Sequence, residues 1–167
     1  MNKSGKPIIG VMGPGNPNDR TVLDQAEIIG SHIAKRNWIL LTGGRKAGVM
    51  DAASKGAAEA GGEVMGVLPG DSHLGMSDHV SIPIITGVGS ARNLINILTA
   101  DVVIVCGMGL GTASEAALAI KHKKSVLFTK VSKSHLNFFQ SLTSSKLPFF
   151  DEADALLAFI EKEVLLL

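Results

Sequence analysis

An α/β fold, a doubly wound parallel sheet held between helices in three layers, is the architecture this sequence predicts. Two observations carry it: short apolar runs of β type alternate with amphipathic helical stretches, and glycines follow directly after nearly every run. Alternation of that kind places crossover helices over both faces of a parallel sheet. A length of 167 residues and a hydrophobic content of 46% suffice for one core, so a single domain over residues 1–167 is expected.

The expected strands are Ile8 to Met12, Ile39 to Thr42, Glu63 to Leu68, Ile82 to Ile85, Val102 to Cys106 and Val126 to Thr129. Between the first two, Val22, Ala26, Ile29 and Ile33 recur at helical spacing. The second helix, Gly48 to Ala60, is mostly Ala and Gly on its inner face, which predicts a close approach to the sheet. A further helix follows Ser90, with Arg92 in its first turn, and another follows the glycines at 107–111. Ser132 to Ser145 is polar with two Phe and reads as a short helix and loop; Asp151 to Val164 reads as a closing helix. No repeat, low-complexity tract or linker interrupts this order.

Composition narrows the functions. With 16 Lys+Arg against 15 Asp+Glu the net charge is +1, so no broad positive field favours nucleic acid or an anionic membrane. The single Cys106 excludes an internal disulfide, and the start, Met1 to Gly10, carries lysines but no apolar stretch of signal-peptide length, which predicts a cytoplasmic protein. No apolar run approaches the roughly 18 residues of a membrane span.

Loops without Cβ atoms let a ligand touch backbone N–H groups, and at strand-to-helix turns these groups favour anions. Gly13 and Gly15 make a G-x-G start without the third glycine of a dinucleotide fingerprint. The second strand ends in Thr42-Gly43-Gly44-Arg45-Lys46, where a dehydrogenase that binds NAD places a carboxylate. The glycine pair fits either a tight turn or a ligand site. Arg45, Lys46 and Arg92 precede or open helices, where a cation opposes the helix dipole unless an anion lies between. For Lys46 a side chain extended into water is the simpler reading; Arg92, after the loop Gly87 to Ser90, fits the site.

The segment Cys106 to Glu115 is the richest. Gly107, Gly109 and Gly111 offer N–H groups and Thr112 a hydroxyl. Thr112-x-x-Glu115 also has capping-box spacing, so Glu115 reads equally as cap or ligand contact. Cys106 reads as a small buried hydrophobe. His73 and His79 share a loop that fits catalysis or plain solvation, and no side-chain metal set, Ser-His-Asp pattern or Walker A lysine appears.

Four stretches together resemble the molybdenum cofactor carrier proteins: Lys6 to Gly15; Trp38 to Arg45 with Gly48-Val49-Met50; Gly89-Ser90-Ala91-Arg92-Asn93; and Gly107-Met108-Gly109-Leu110-Gly111-Thr112-x-x-Glu115. The resemblance implies a Rossmann-like fold shared with the LONELY GUY phosphoribohydrolases, often mislabelled lysine decarboxylases. It implies a small anionic cargo, molybdenum cofactor, that is protected and passed to apo molybdenum enzymes by a homodimer or homotetramer. The loops at Gly13 and Gly15, at Thr42, Gly43 and Gly44, and at Gly107, Met108, Gly109 and Gly111 would then supply the cradle. Arg45 and Arg92 would counter charge, and Ser90 and Thr112 would donate hydroxyls, with Glu115 beside them. The alternative it implies is hydrolysis of nucleoside 5′-monophosphates, in which Arg92 orients phosphate or ribose and Glu115 stabilises an oxocarbenium-like transition state. Three positions depart from the hydrolase pattern: Asn93 stands for Lys, Gly107 for Pro and Met108 for Gly.

Overall fold

The computed structural model describes residues 5–166; the first four positions of the lysine-bearing start and the final Leu167 lie outside the described residues. Seven parallel strands form one sheet in the order β4-β3-β2-β1-β5-β6-β7. They are β1 (Ile8–Met12), β2 (Ile39–Thr42), β3 (Glu63–Leu68), β4 (Ile82–Ile85), β5 (Val102–Cys106), β6 (Ser125–Thr129) and β7 (Phe149–Phe150). The helices are α1 (Arg20–Lys35), α2 (Gly48–Glu59), α3 (Arg92–Thr99), α4 (Leu110–Lys121), α5 (Lys133–Ser141) and α6 (Ala153–Val164), with a 3-10 turn at Gly89–Ala91 before α3.

The period of two along each strand divides the core cleanly. Ile9, Val11, Leu40, Val64, Val102 and Ile104 face α1, α2 and α6, while Ile8, Met12, Leu41, Val67, Val103 and Val105 face α3, α4 and α5. Strands β1 and β5 are buried along their whole length, as central strands of a doubly covered sheet must be. The expected three-layer arrangement is therefore present, and the strand order reverses between β1 and β5.

Two elements differ from the sequence reading. Strand β7 was not expected; it is two residues long and exists through its pairing of Phe128 with Phe149 and Thr129 with Phe150. The small residues of α2 also serve a different contact. Val49, Ala53 and Ala57 meet the sheet, but the closest approach is to α1: a Cβ on Gly56 would lie 2.0 Å from the Glu27 carbonyl oxygen, and one on Gly30 would lie 2.0 Å from that of Ala53. Backbone cannot yield as a side chain does, so Gly56→Ala is expected to cost about 1–3 kcal/mol by overpacking. A thermal melt within a degree of wild type would show that these helices have slack.

Candidate functional site

Beyond the carboxyl ends of β1, β2 and β5, where the strand order reverses, lies a cavity of about 240 Å³. This is where open α/β sheets bind ligands. A larger groove of about 520 Å³ lies between α1, α2 and α6, lined by Glu27, Ser31, His32, Lys35 and Glu59 among others. Its walls are helix sides rather than strand-end loops, so we take the smaller cavity as the site.

Nine of the expected residues line that cavity: Gly13, Gly15, Gly43, Arg45, Arg92, Gly109, Gly111, Thr112 and Glu115. The other five do not. Thr42 is buried, its hydroxyl accepting from the Gly44 N–H at 3.1 Å; Gly44, at φ +72°, packs against Gly66. Ser90 is exposed in the 3-10 turn. Gly107 and Met108 line a neighbouring depression with Lys130 and Ser132. Val11, Met12, Pro14, Met50, Asn93 and Leu110 complete the cavity wall without having been singled out for it by the sequence.

The helices that open onto the cavity begin without the usual partner. N-cap positions Ala47 of α2, Ala91 of α3 and Gly109 of α4 make no side-chain cap hydrogen bond, whereas Asp19 caps α1 and Ser132 caps α5. Helix α6 is also uncapped, away from this rim, with Asp154 in its first turn. Helix α2 carries Asp51 in its first turn and its Val49 N–H donates to the Pro14 carbonyl oxygen, and α3 continues the 3-10 turn. It is therefore the uncapped first-turn N–H groups of α4 that face the cavity and favour an anion there.

Arg92 supplies the buried charge. It is 8% exposed, and its guanidinium lies over Gly43, where a Cβ would come within 2.6 Å of both Nη atoms. Glycine at 43 is thus what lets the chain leaving β2 pass beneath the guanidinium. Nη1 donates to Glu115 Oε1 at 3.3 Å and Nη2 to Met50 Sδ at 3.9 Å. Arg92 Nε and Thr112 Oγ1 are buried and have no hydrogen-bond partner. Unmet polar capacity of this kind is rare in a folded interior, and at these two cavity-lining residues it fits a site completed by water or a ligand.

Glu115 departs from the capping-box reading. Helix α4 begins at Gly109, three residues before Thr112, so Thr112 already lies inside the first turn and Glu115 cannot reach back to cap it. Its Oε1 instead accepts from Asn96 Nδ2 at 2.9 Å as well as from Arg92. Burial pushes the Glu115 carboxyl above its ordinary value, while Asn96 and Arg92 pull it back. Burial likewise lowers Arg92 from its ordinary value, with Glu115 opposing that shift and Arg45 adding to it. Each charge is costly alone in this site, and the pair is held because both are present.

The remaining expectations sort by position. Lys46 is not simply extended into water: it pairs at the surface with Asp78, so its charge needs no ligand. Arg45, exposed at the rim, is set by an antiparallel bridge to Met76 and has no such carboxylate partner among the described residues. His73 and His79 lie outside the cavity wall. Cys106 is fully buried, and burial pushes its thiol up to about 12, which leaves it a packing residue.

The sequence profile of the SLOG cluster4 family matches residues 6–157. The chain belongs to that family. It is also 44% identical to the molybdenum cofactor binding protein of Rippkaea orientalis, with a TM-score of 0.90 over 94% of this chain and 96% of that one. The molybdenum cofactor carrier protein of Chlamydomonas reinhardtii is 46% identical, with a TM-score of 0.90 over 96% of this chain and 99% of that one. An uncharacterized protein of Archaeoglobus fulgidus is 40% identical over 122 residues, 73% of this chain and 79% of the relative. This SLOG cluster4 member is thus related over nearly its whole length to molybdenum cofactor carriers, in keeping with the four motifs. Among the described residues no helix is long and apolar enough to cross a membrane, and no group of His, Cys, Asp or Glu could hold a metal ion.

Proposed function

We propose that this protein binds, protects and delivers molybdenum cofactor as a non-catalytic carrier in the cytoplasm. The observation that carries the reading is the placement of Arg45, Arg92 and the uncapped start of α4 around one strand-end cavity. Relatives at 44 and 46% identity that bind or carry this cofactor support it. The cargo is an elongated anion, with an oxo-molybdenum group, a pterin bearing dithiolene sulfurs, and a terminal phosphate. At about 240 Å³ the cavity is below the roughly 300–1,000 Å³ of most ligand pockets, so one end of the cofactor seats within it and the rest extends over the rim. Gly13, Gly15, Gly109 and Gly111 then offer backbone contacts, and Arg45, Arg92 and Thr112 offer side-chain donors. Apo molybdenum enzymes are the recipients.

The test is protection. Cofactor released anaerobically from a molybdenum enzyme should survive exposure to air markedly longer with this protein, and then reconstitute an apo-enzyme. Unchanged decay and no transfer would reject the carrier reading.

A hydrolase is the second reading, favoured by one observation, the placement of Arg92 and Glu115 3.3 Å apart in one cavity. Against it, Asn93 stands where the hydrolase pattern has a lysine, and its Nδ2 donates to Ser114 Oγ at 3.0 Å, tying α3 to α4. Free base released from AMP, and lost in Glu115→Ala, would promote this reading over the carrier.

Self-association is part of the proposal. Helix α3 exposes Leu94, Ile95 and Leu98, and Leu110 at the cavity rim is 96% exposed. A second copy of the chain is the occupant that the resemblance implies for such a face. Light scattering should give a dimer or tetramer that Leu98→Asp shifts towards monomer; a monomeric wild type at micromolar concentration would remove this part.

A further inference from the structure

The rim of the cavity and its floor ask for opposite things. At the rim stand Arg45 and the N–H groups of the first turn of α4. At the floor stand Glu115, only 5% exposed, and beside it Arg92, whose charge it already offsets. Both hydrogen bonds it receives, from Asn96 and Arg92, fall on Oε1, so Oε2 keeps its acceptor positions for whatever enters the cavity. A phosphate or oxo group pressed against that oxygen would set two anions together out of water, which a site for an anion cannot sustain. A ligand group that reaches Glu115 Oε2 must bring N–H donors to it, while one beside it that meets the unpartnered Arg92 Nε brings an acceptor.

A planar heterocycle that carries an exocyclic amino group beside a ring N–H matches a buried carboxylate in both charge and direction of hydrogen bonding. We propose that Glu115 Oε2 reads the amino edge of a pterin, so that the heterocycle lies against the floor and the anionic end points to the rim. Asn96 is the positioning residue: fully buried, it does not line the cavity, and its Nδ2 fixes the rotation of the carboxylate. This assignment rests on the carrier reading and deepens it, because it says which end of the cargo enters.

Two probes separate the possibilities. Pterin-6-carboxylate and lumazine-6-carboxylate carry the same anionic group and differ at position 2, where a carbonyl replaces the amino donor. Titration calorimetry with the full chain, stripped of bound material, should give at least tenfold tighter binding of the pterin. Glu115→Gln should reduce that preference below threefold and leave inorganic phosphate bound at least as well, since the change removes a negative charge. Asn96→Leu should lower the preference while phosphate binding holds, a pattern that a merely structural residue would not produce. If the Gln variant does not fold, Glu115→Asp, which withdraws the carboxylate by one methylene, should lower the ratio in the same direction.

Equal binding of the two probes by wild type, a preference that survives Glu115→Gln, or no binding of either at millimolar concentration would overturn the inference. The carrier reading fails differently. A chain that retains molybdenum cofactor yet binds both probes alike refutes the role of Glu115 alone. A chain that prefers the pterin yet neither protects nor transfers the cofactor refutes the carrier.

Discussion

Replacing Arg92 by methionine is expected to lower stability at neutral pH by about 3–5 kcal/mol, because it leaves the buried Glu115 carboxylate without its counter-charge. For a chain of this size that corresponds to roughly 6–20 °C in melting temperature. The deficit should depend on pH in a definite direction. Burial already holds the Glu115 carboxyl above its ordinary 4.5, and losing Arg92 removes one of the two groups that pull it down. With its folded value above its unfolded one, Glu115 makes the folded state bind the extra proton. Its contribution is then full below about 4.5 and is lost as pH rises through the folded value.

In Arg92→Met that loss extends to higher pH. The gap between variant and wild type should therefore be widest near neutrality and narrow as pH falls towards 4.5. Adding Glu115→Gln to the Arg92→Met variant should restore most of the neutral-pH stability, because no buried charge then remains. Denaturant melts between pH 5 and 8 measure this. A deficit that does not change with pH, or that Gln fails to relieve, would mean that Arg92 acts through packing rather than charge.

Gly43→Ala is the second large effect, and it falls on binding more than on folding. An added Cβ would come within 2.6 Å of both Nη atoms of Arg92 and 2.7 Å of Met50 Sδ, all ends of flexible side chains that can move aside. The fold should survive, with a melting temperature lowered by less than the roughly 6–20 °C expected of Arg92→Met, since the guanidinium is displaced rather than removed. The guanidinium, however, must leave its place over residue 43, which draws it away from the floor of the cavity and from Glu115. Loss of one charge-assisted contact is worth about 1.5–3 kcal/mol, so anion affinity should fall at least tenfold. Phosphate titration against the variant checks the binding, and a parallel melt shows that the fold is intact.

The strands were legible because a doubly covered sheet demands continuous apolar runs, and β1 and β5 are such runs ending in glycine. Strand β7 was not, since two phenylalanines after Pro148 carry no pattern of their own and form a strand only by pairing with β6. Arg92 and Glu115 were visible as motif residues, but their relation was not. The spacing of Thr112 and Glu115 is the same whether it closes a capping box or places both on one face of a helix, and only the true start of α4 at Gly109 decides between them.

Asn96 went unread, and Met50 was read only as part of a motif, for a related reason. Each lies within a helix that reads as ordinary core, and their value comes from what other segments bring to them, Glu115 from α4 in one case and Arg92 from α3 in the other. A signal for Asn96 existed. Asparagine is a poor helix former, and Asn93 and Asn96 one turn apart, on the face that also carries Arg92, imply side chains with partners elsewhere. The small residues of α2 show the same limit, because a sequence marks a close approach without naming the surface approached.

The molybdenum content of the protein isolated from cofactor-producing cells tests the central claim most directly, with Gly43→Ala prepared alongside. Wild type should carry close to one molybdenum per chain together with an oxidisable pterin, and the variant, folded at the growth temperature, should carry less than a tenth as much. Molybdenum absent from wild type, or retained in full when alanine at 43 has displaced the guanidinium, would contradict the account of this cavity as the place where the cargo is held.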